Sequence, residues 1–464
     1  MNPRWLEGPE ASLQQVLDGR EERAALQREW LKKGGVLLCL TLNMPGPVKR
    51  FPLADAAFEE GRRLAEQWLQ GGGYTLLEQQ RVGRPGGLEW YARLAGDPLE
   101  VKACVAALEE QEPLGRLLDL DVLQPDGSKV GREQLGLPPR TCLLCPRPAA
   151  ECARSRAHGI EAARQKAISI MEEHFRHQMA RRVAAQAQRA LLHEVACTPK
   201  PGLVDGANSG AHRDMDRFTF LDSAAALGSY FEQAAFVGGG WQGRAEELLP
   251  HLRPLGLQAE RQMAEATGGV NTHKGAIFSM GILCAALGLF FASGEPFSLA
   301  GWMDKAGRIA RRALGDFDLP LDETAGRILR RQQGIPGVRG EAAAGFPSVT
   351  QWGLPALQDC LARGFSWNGA CCGALCALLT QVEDTNLLHR GGTDGLAFAR
   401  EQAAALWASR PGEEALLEGL AQLDRQFCLR DLSPGGCADL LAVTLLAHFS
   451  IRHASSFFDI SLSL

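Results

Sequence analysis

The chain has 464 residues, 45% of them hydrophobic and 22% charged, and a formal net charge of −5. That length exceeds one ordinary core, so two or more domains of a folded, water-soluble protein are expected, with no global basic field pointing to nucleic acid. Thirteen Cys, an odd number in a long chain, read as reduced thiols rather than a disulfide scaffold.

The opening MNPRWLEGPE lacks a signal peptide's apolar segment, so a cytoplasmic protein is expected. VLLCLTLNMPGP (36–47) reads as a strand running into a Pro/Gly turn. Residues 53–70 carry helical spacing. GLEWYARLAG (87–96) and LLDLDVLQPDG (117–127) read as strands, the second closing in an Asp-Gly turn. This is an α+β pattern. In the last strand, Asp119 and Asp121 lie two apart and face one side, where they can hold Mg2+ beside a polyphosphate. Arg116 is near enough in sequence to clamp a phosphate. The plainer alternative is a solvated face on an edge strand. Next come Cys142, Cys145, Cys152 and His158, spaced C-x2-C-x6-C-x5-H. The spacing fits a structural Cys3His zinc site; the alternative is buried small hydrophobes in a Cys-rich protein.

The block PLGRLLDLDVL…LPPRTCLLCPRPAAECARSRAH, with the earlier NMPGPVK (43–49), resembles the citrate lyase holo-acyl-carrier-protein synthase family, the phosphoribosyl-dephospho-CoA transferases. The resemblance covers roughly residues 8–165. It implies a nucleotidyltransferase-like domain. The implied reaction moves a 2'-(5''-phosphoribosyl)-3'-dephospho-CoA group to a serine of the lyase's acyl carrier (gamma) subunit, and pyrophosphate leaves. Lys49, Arg116, Asp119 and Asp121 fall inside the matching blocks, the first two assigned to phosphate binding.

From Ile160 the texture changes to a long Ala-, Arg- and Gln-rich helical run, and nearly everything beyond reads as Ala/Leu-rich helices. A boundary near 160–180 divides the chain into domains 1–170 (α+β) and 171–464 (all-α). GGGWQG (238–243) matches G-x-G-x-x-G but follows a helical pattern, so it fails the dinucleotide test and reads as a loop. The uncharged stretch from Gly275 to Ser293 is long enough to span a bilayer, yet it stands alone and is rich in Gly, Ala and Ser. A buried helix, with no membrane, is the expectation.

Four polar motifs each run into an apolar helix: TPKPGLVDGANSGAHRDMD (198–216), GGVNTHKGAIFSMG (268–281), EDTNLLHRGG (383–392) and LSPGGCADLLA (432–442). Helix N-termini present free N–H groups and a positive dipole to anions. Several converging, with Lys200, Lys274 and Arg390, would suit a triphosphate. Asn208, Asn271, Asn386, Gly435 and Gly436 are assigned to the same nucleotide, and Asp214 and Asp216 to its Mg2+. No Walker motif occurs. Each motif also has a plainer reading: Asp214 or Asp216 as a cap of the helix beginning near Arg217, Asn271 or Thr272 as a cap of the next, and Ser433 to Gly436 as an ordinary helix start.

Together with GVRGEAAAGFP (337–347), the motifs resemble the triphosphoribosyl-dephospho-CoA synthase family over roughly 185–455. The resemblance implies an all-helical fold and transfer of the ribose C1 of ATP to the 2'-hydroxyl of 3'-dephospho-CoA. Adenine leaves and the triphosphate is kept. Such a reaction needs a carboxylate near the developing oxocarbenium and a donor for the leaving base. Asp205, Asp214, Asp216, Glu383 and Asp384 are the acid candidates. His212 and His273 are candidate proton donors or satisfied structural histidines. The two halves read as a fusion that first builds a prosthetic group and then attaches it. The same chemistry serving a malonate decarboxylase carrier is the nearest alternative. A non-catalytic protein holding dephospho-CoA or the carrier is the other.

Overall fold

The computed structural model describes residues 3–318 and 337–458. It divides into two compact units, Met1–Phe175 and Arg176–Phe458.

In the first unit, α1 (Leu13–Leu31), β1 (Val36–Leu42), α2 (Pro52–Gly71), β2 (Leu76–Arg84), β3 (Gly87–Leu94), α3 (Pro98–Gln111), β4 (Leu118–Leu123) and α4 (Ala149–Ser155) lead into α5 (Ile160–Ala196). The strands form one antiparallel sheet ordered β2-β3-β1-β4. Ser12 and Gln15 close α1 with a capping box, and Asp97 caps α3 ahead of Pro98. Alternation sends Leu38, Leu40, Trp90, Leu120 and Val122 to one face, against Phe58 and Leu64 of α2 and Val101 and Val105 of α3. Leu37, Cys39, Tyr91 and Leu123 face the other way, against Trp30 of α1. The sequence marks no strand at 76–84, where the structure has β2. β2 is an edge strand whose exposed Gln79, Gln80 and Arg81 and half-buried Glu78 carry no apolar alternation.

In the second unit the described residues are helical, without a strand: the end of α5, then α6 (Arg217–Ala226), α7 (Gly228–Gly240), α8 (Leu249–Ala266), α9 (Lys274–Ser293), α10 (Leu299–Ala310), α11 (Gly337–Ala343), α12 (Leu354–Ala362), α13 (Trp367–Gln381), α14 (Thr385–Ala408), α15 (Glu413–Leu429) and α16 (Gly435–Phe458). α14 breaks at Gly392, where φ is 62°. α9 is long and apolar enough to cross a membrane, but 78% of its apolar window is buried inside the protein. It packs against α7 at backbone distance: a Cβ on Gly238 would stand 2.0 Å from the Ala285 carbonyl, and one on Gly288 2.3 Å from that of Ala235. This corrects the loop reading of 238–243, because Gly238–Gly240 are the last helical residues of α7.

Candidate functional site

In the first unit, β4 places Asp119 opposite Thr41 and Asp121 opposite Cys39, on the sheet face opposite the Leu118, Leu120 and Val122 side chains. Both carboxylates therefore share a partly exposed surface. Burial, and next the Asp121 charge, pushes the Asp119 carboxyl above its ordinary range. Lys129 forms an ion pair with Asp121. Buried Lys102 donates to the Leu120 carbonyl at 2.7 Å.

Arg116 does not reach toward these acids. Its guanidinium donates to the carbonyls of Thr141 (2.8 Å) and Cys142 (3.3 Å), so the predicted phosphate clamp instead fastens the following loop. Arg140 does the same in reverse, donating to Leu118 at 2.7 Å. Lys49 donates to the Met44 carbonyl at 2.5 Å, and burial lowers its pKa.

That loop carries the thiols. A Cys142–Arg147 backbone bond of 2.7 Å closes a turn that presents Cys142 and Cys145, α4 brings in Cys152, and Arg156 at φ 48° turns the chain toward His158. The four donor atoms lie within 4.8 Å of one another, with Cys145 Sγ 3.5 Å from Cys152 Sγ and 3.2 Å from His158 Nε2. Three thiols and one imidazole at this spacing fit tetrahedral zinc in both donor type and number.

In the second unit, a cavity of about 830 Å³ lies among the starts of α9, α11, α14 and α16 and the loop after α5. Its wall includes Lys200 and His212 from that loop, Asn271 and His273 just ahead of α9 with Lys274 at its start, Glu383 and Asp384 just ahead of α14 with Asn386 and Arg390 in its first turns, and Gly435 and Gly436 from α16. Lys200 is buried and donates to Glu194 at 2.5 Å. Lys274 pairs with Glu260 at 3.0 Å. Arg390 reaches the Ala211 carbonyl at 3.0 Å and Asp431 at 2.9 Å, beside His212. His212 Nε2 lies 2.8 Å from the Ser433 hydroxyl; burial, then Arg390, lowers its pKa.

Asp384 is buried and accepts from the N–H groups of Asn386 (2.8 Å), Leu387 (3.2 Å) and Cys437 (2.8 Å). One carboxylate thus caps α14 and takes a first-turn donor of α16. Those N–H groups are occupied, which leaves fewer for an anion than the sequence pattern implies. Asn386 fills the space beside Gly435, where a Cβ would approach its amide nitrogen to 2.4 Å.

Four predicted site residues lie outside the cavity wall. Asp205 is buried under the N–H groups of Lys200 (2.8 Å), Ala207 (2.7 Å) and Asn208 (3.1 Å), so it organises its own loop. Asn208 bridges to Asp424 at 2.8 Å. Asp216 caps α6 through Thr219 at 3.0 Å, and Asp214 is exposed beside it. The predicted Asp214–Asp216 magnesium pair is therefore a helix cap with a solvated neighbour.

His273 also departs from its predicted role as a proton donor. Burial, and then Lys200, lowers its pKa to about 3, so the ring is neutral at physiological pH. Asp439 on α16 was missed. It lines the cavity and receives the Ala276 N–H, and a Cβ on Gly275 would stand 2.0 Å from its Oδ2. Burial, followed by Glu194 and Asp384, pushes its carboxyl well above the usual range. An acid inside LSPGGCADLLA, one turn into an otherwise apolar helix, is the sequence signal that marks it.

Residues 11–174 match the CitX family, apo-citrate lyase phosphoribosyl-dephospho-CoA transferase, and residues 180–456 match the CitG family, ATP:dephospho-CoA triphosphoribosyl transferase. The chain is 36% identical over 461 residues to Protein CitXG of Haemophilus influenzae, covering 95% of this chain and 96% of that protein. Over 459 residues it is 33% identical to Protein CitXG of Leuconostoc mesenteroides, covering 94% and 97%. A probable 2-(5''-triphosphoribosyl)-3'-dephosphocoenzyme-A synthase of Vibrio cholerae is 42% identical over 290 residues, covering 59% of this chain and 91% of that protein.

Proposed function

The chain belongs to the CitXG family, in which CitX and CitG are fused, and on that premise we propose that it makes 2'-(5''-triphosphoribosyl)-3'-dephospho-CoA and then attaches the phosphoribosyl-dephospho-CoA group to the apo acyl carrier subunit of citrate lyase. It is a bifunctional transferase. The first step uses ATP and 3'-dephospho-CoA and releases adenine; the second releases pyrophosphate. The compartment proposed is the cytoplasm, where free thiols stay reduced.

The observation that carries the synthase reading is one cavity, of ligand-site size, that gathers Lys200 of the loop after α5 with Lys274, Asp384 and Arg390 at the starts of α9 and α14 and with the start of α16. Lys274 and Arg390 would meet the phosphates, and Glu383, exposed on the wall, their Mg2+. Asp439, whose carboxyl resists ionisation, would deliver a proton to the departing base. In the first unit, read as nucleotidyltransferase-like, Asp119 and Asp121 would hold Mg2+, which stabilises charge on the reacting phosphate and on pyrophosphate. The Cys142, Cys145, Cys152 and His158 set would hold zinc that fixes the loop fastened by Arg116.

The test is sequential. The protein is incubated with ATP, Mg2+ and 3'-dephospho-CoA, free adenine is measured, then apo-carrier is added and its mass increase is read. Asp119→Asn and Asp121→Asn should spare adenine release and abolish the mass increase. Loss of both steps in a folded variant contradicts this division of labour.

A further inference from the structure

Ser223 of α6 is fully buried and serves two partners. It accepts from the Thr272 hydroxyl at 2.7 Å and lies 2.7 Å from Nδ1 of His273. A serine hydroxyl has a single proton. With Thr272 donating to its oxygen, the arrangement that gives the buried Ser223 proton a partner has Nδ1 accepting it. The one N–H of the neutral imidazole then sits on Nε2. His273 is 3% exposed and stands among the residues that line the cavity, and its Nε2, itself buried, has no hydrogen-bond partner. Leaving a buried N–H unpaired is unfavourable, so the arrangement is completed by a ligand atom that accepts.

The surroundings narrow the choice of acceptor. The Phe220 ring meets the imidazole edge-on at 5.1 Å, and Phe278, Leu203 and Val204 continue an apolar wall. The charged neighbour, Lys200, is engaged by Glu194. An uncharged donor among apolar groups suits an uncharged heterocycle. Phosphates are served by Lys274 and Arg390.

We propose that His273 Nε2–H donates a hydrogen bond to N3 or N7, the ring nitrogens nearest N9 of the departing adenine, and that Ser223 and Thr272 are positioning residues that hold the required tautomer. This rests on the synthase reading above. In the step, the C1–N9 bond breaks with its electron pair passing to adenine. The 2'-oxygen of dephospho-CoA bonds to C1, Asp439 protonates the departing adenine, and the proton that the hydroxyl loses restores the Asp439 carboxyl, so the net transfer is from hydroxyl to adenine. His273 transfers no proton; its N–H steadies the electron pair as it reaches the base.

Nitrogen-15 spectra of the histidine-labelled full chain, with the His273 signals assigned through His273→Gln, test the tautomer without any turnover. Nε2–H at neutral pH is expected. An Nδ1–H ring or an imidazolium overturns the proposal even if adenine is released normally. Kinetically, His273→Leu should lower kcat for adenine release on the order of 100-fold. His273→Gln, which keeps an N–H near Nε2, should recover most of it, and Ser223→Ala should fall between with KM for ATP little changed. ATP analogues with C–H in place of N3 or N7 supply the second readout. For one of them the loss should be non-additive with His273→Leu. Additive losses for both analogues mean that the donor serves another atom and overturn the assignment. Absence of adenine release by the unaltered enzyme would instead defeat the synthase reading, leaving the tautomer measurement to stand alone.

Discussion

The half-buried Asp439 lines the cavity near Glu194 and Asp384, and of the four effects that act on its carboxyl only the Ala276 N–H favours ionisation. Its folded pKa is raised, so the stability tied to this group is fully present below the unfolded carboxyl value of about 3.9 and is lost as pH rises through the folded one. Asp439→Asn should therefore flatten that part of the stability curve. The variant gains relative to the parent at neutral pH, and the difference vanishes in acid, as read by urea denaturation across pH. Adenine release should fall roughly 10²–10⁴-fold, the range of a lost general acid, while carrier modification from supplied intermediate continues. Stability gained together with unchanged adenine release would make Asp439 a bystander.

At the scale of elements, α7 and α9 meet backbone to backbone, because no side chain stands at Gly238 or Gly288. Gly288→Ala would drive a methyl into the Ala235 carbonyl, which cannot rotate aside. The expected cost is about 1–3 kcal/mol in chemical denaturation, with β-sheet signals unaffected. An unchanged midpoint would show that the crossing can relax. The sequence displayed these helices unevenly. Apolar runs marked α9 and α16, and the strand carrying Asp119 and Asp121 was legible from its alternation. β2 was not, since an edge strand exposing Gln79, Gln80 and Arg81 has no apolar face to repeat. The cavity wall was legible where polar residues interrupt apolar helix starts, at Lys200, Lys274 and Arg390. It misled at Asp205 and Asp216, because a loop organiser, a cap and a catalytic acid have the same composition; only their hydrogen-bond partners separate them.

Taken as a whole molecule, the chain places its two sets of reactive groups in different compact units, so a defect in one need not reach the other. Mixing Asp121→Asn with Lys200→Met chains, each inactive alone in the full sequence, should restore the mass increase on the carrier through the released intermediate. No restoration would mean that each chain must complete both steps itself. Metal content is the matching check on the thiol cluster: about one zinc per chain is expected by elemental analysis, falling in Cys145→Ser while adenine release is kept. In the second unit, Asp384 joins the first turn of α14 to that of α16, and Asp439 joins α16 to α9. Two acids thus string three helix openings into one girdle, so its dipoles are aligned before any nucleotide arrives. Little reorientation is left to oppose the charge that forms as the glycosidic bond gives way.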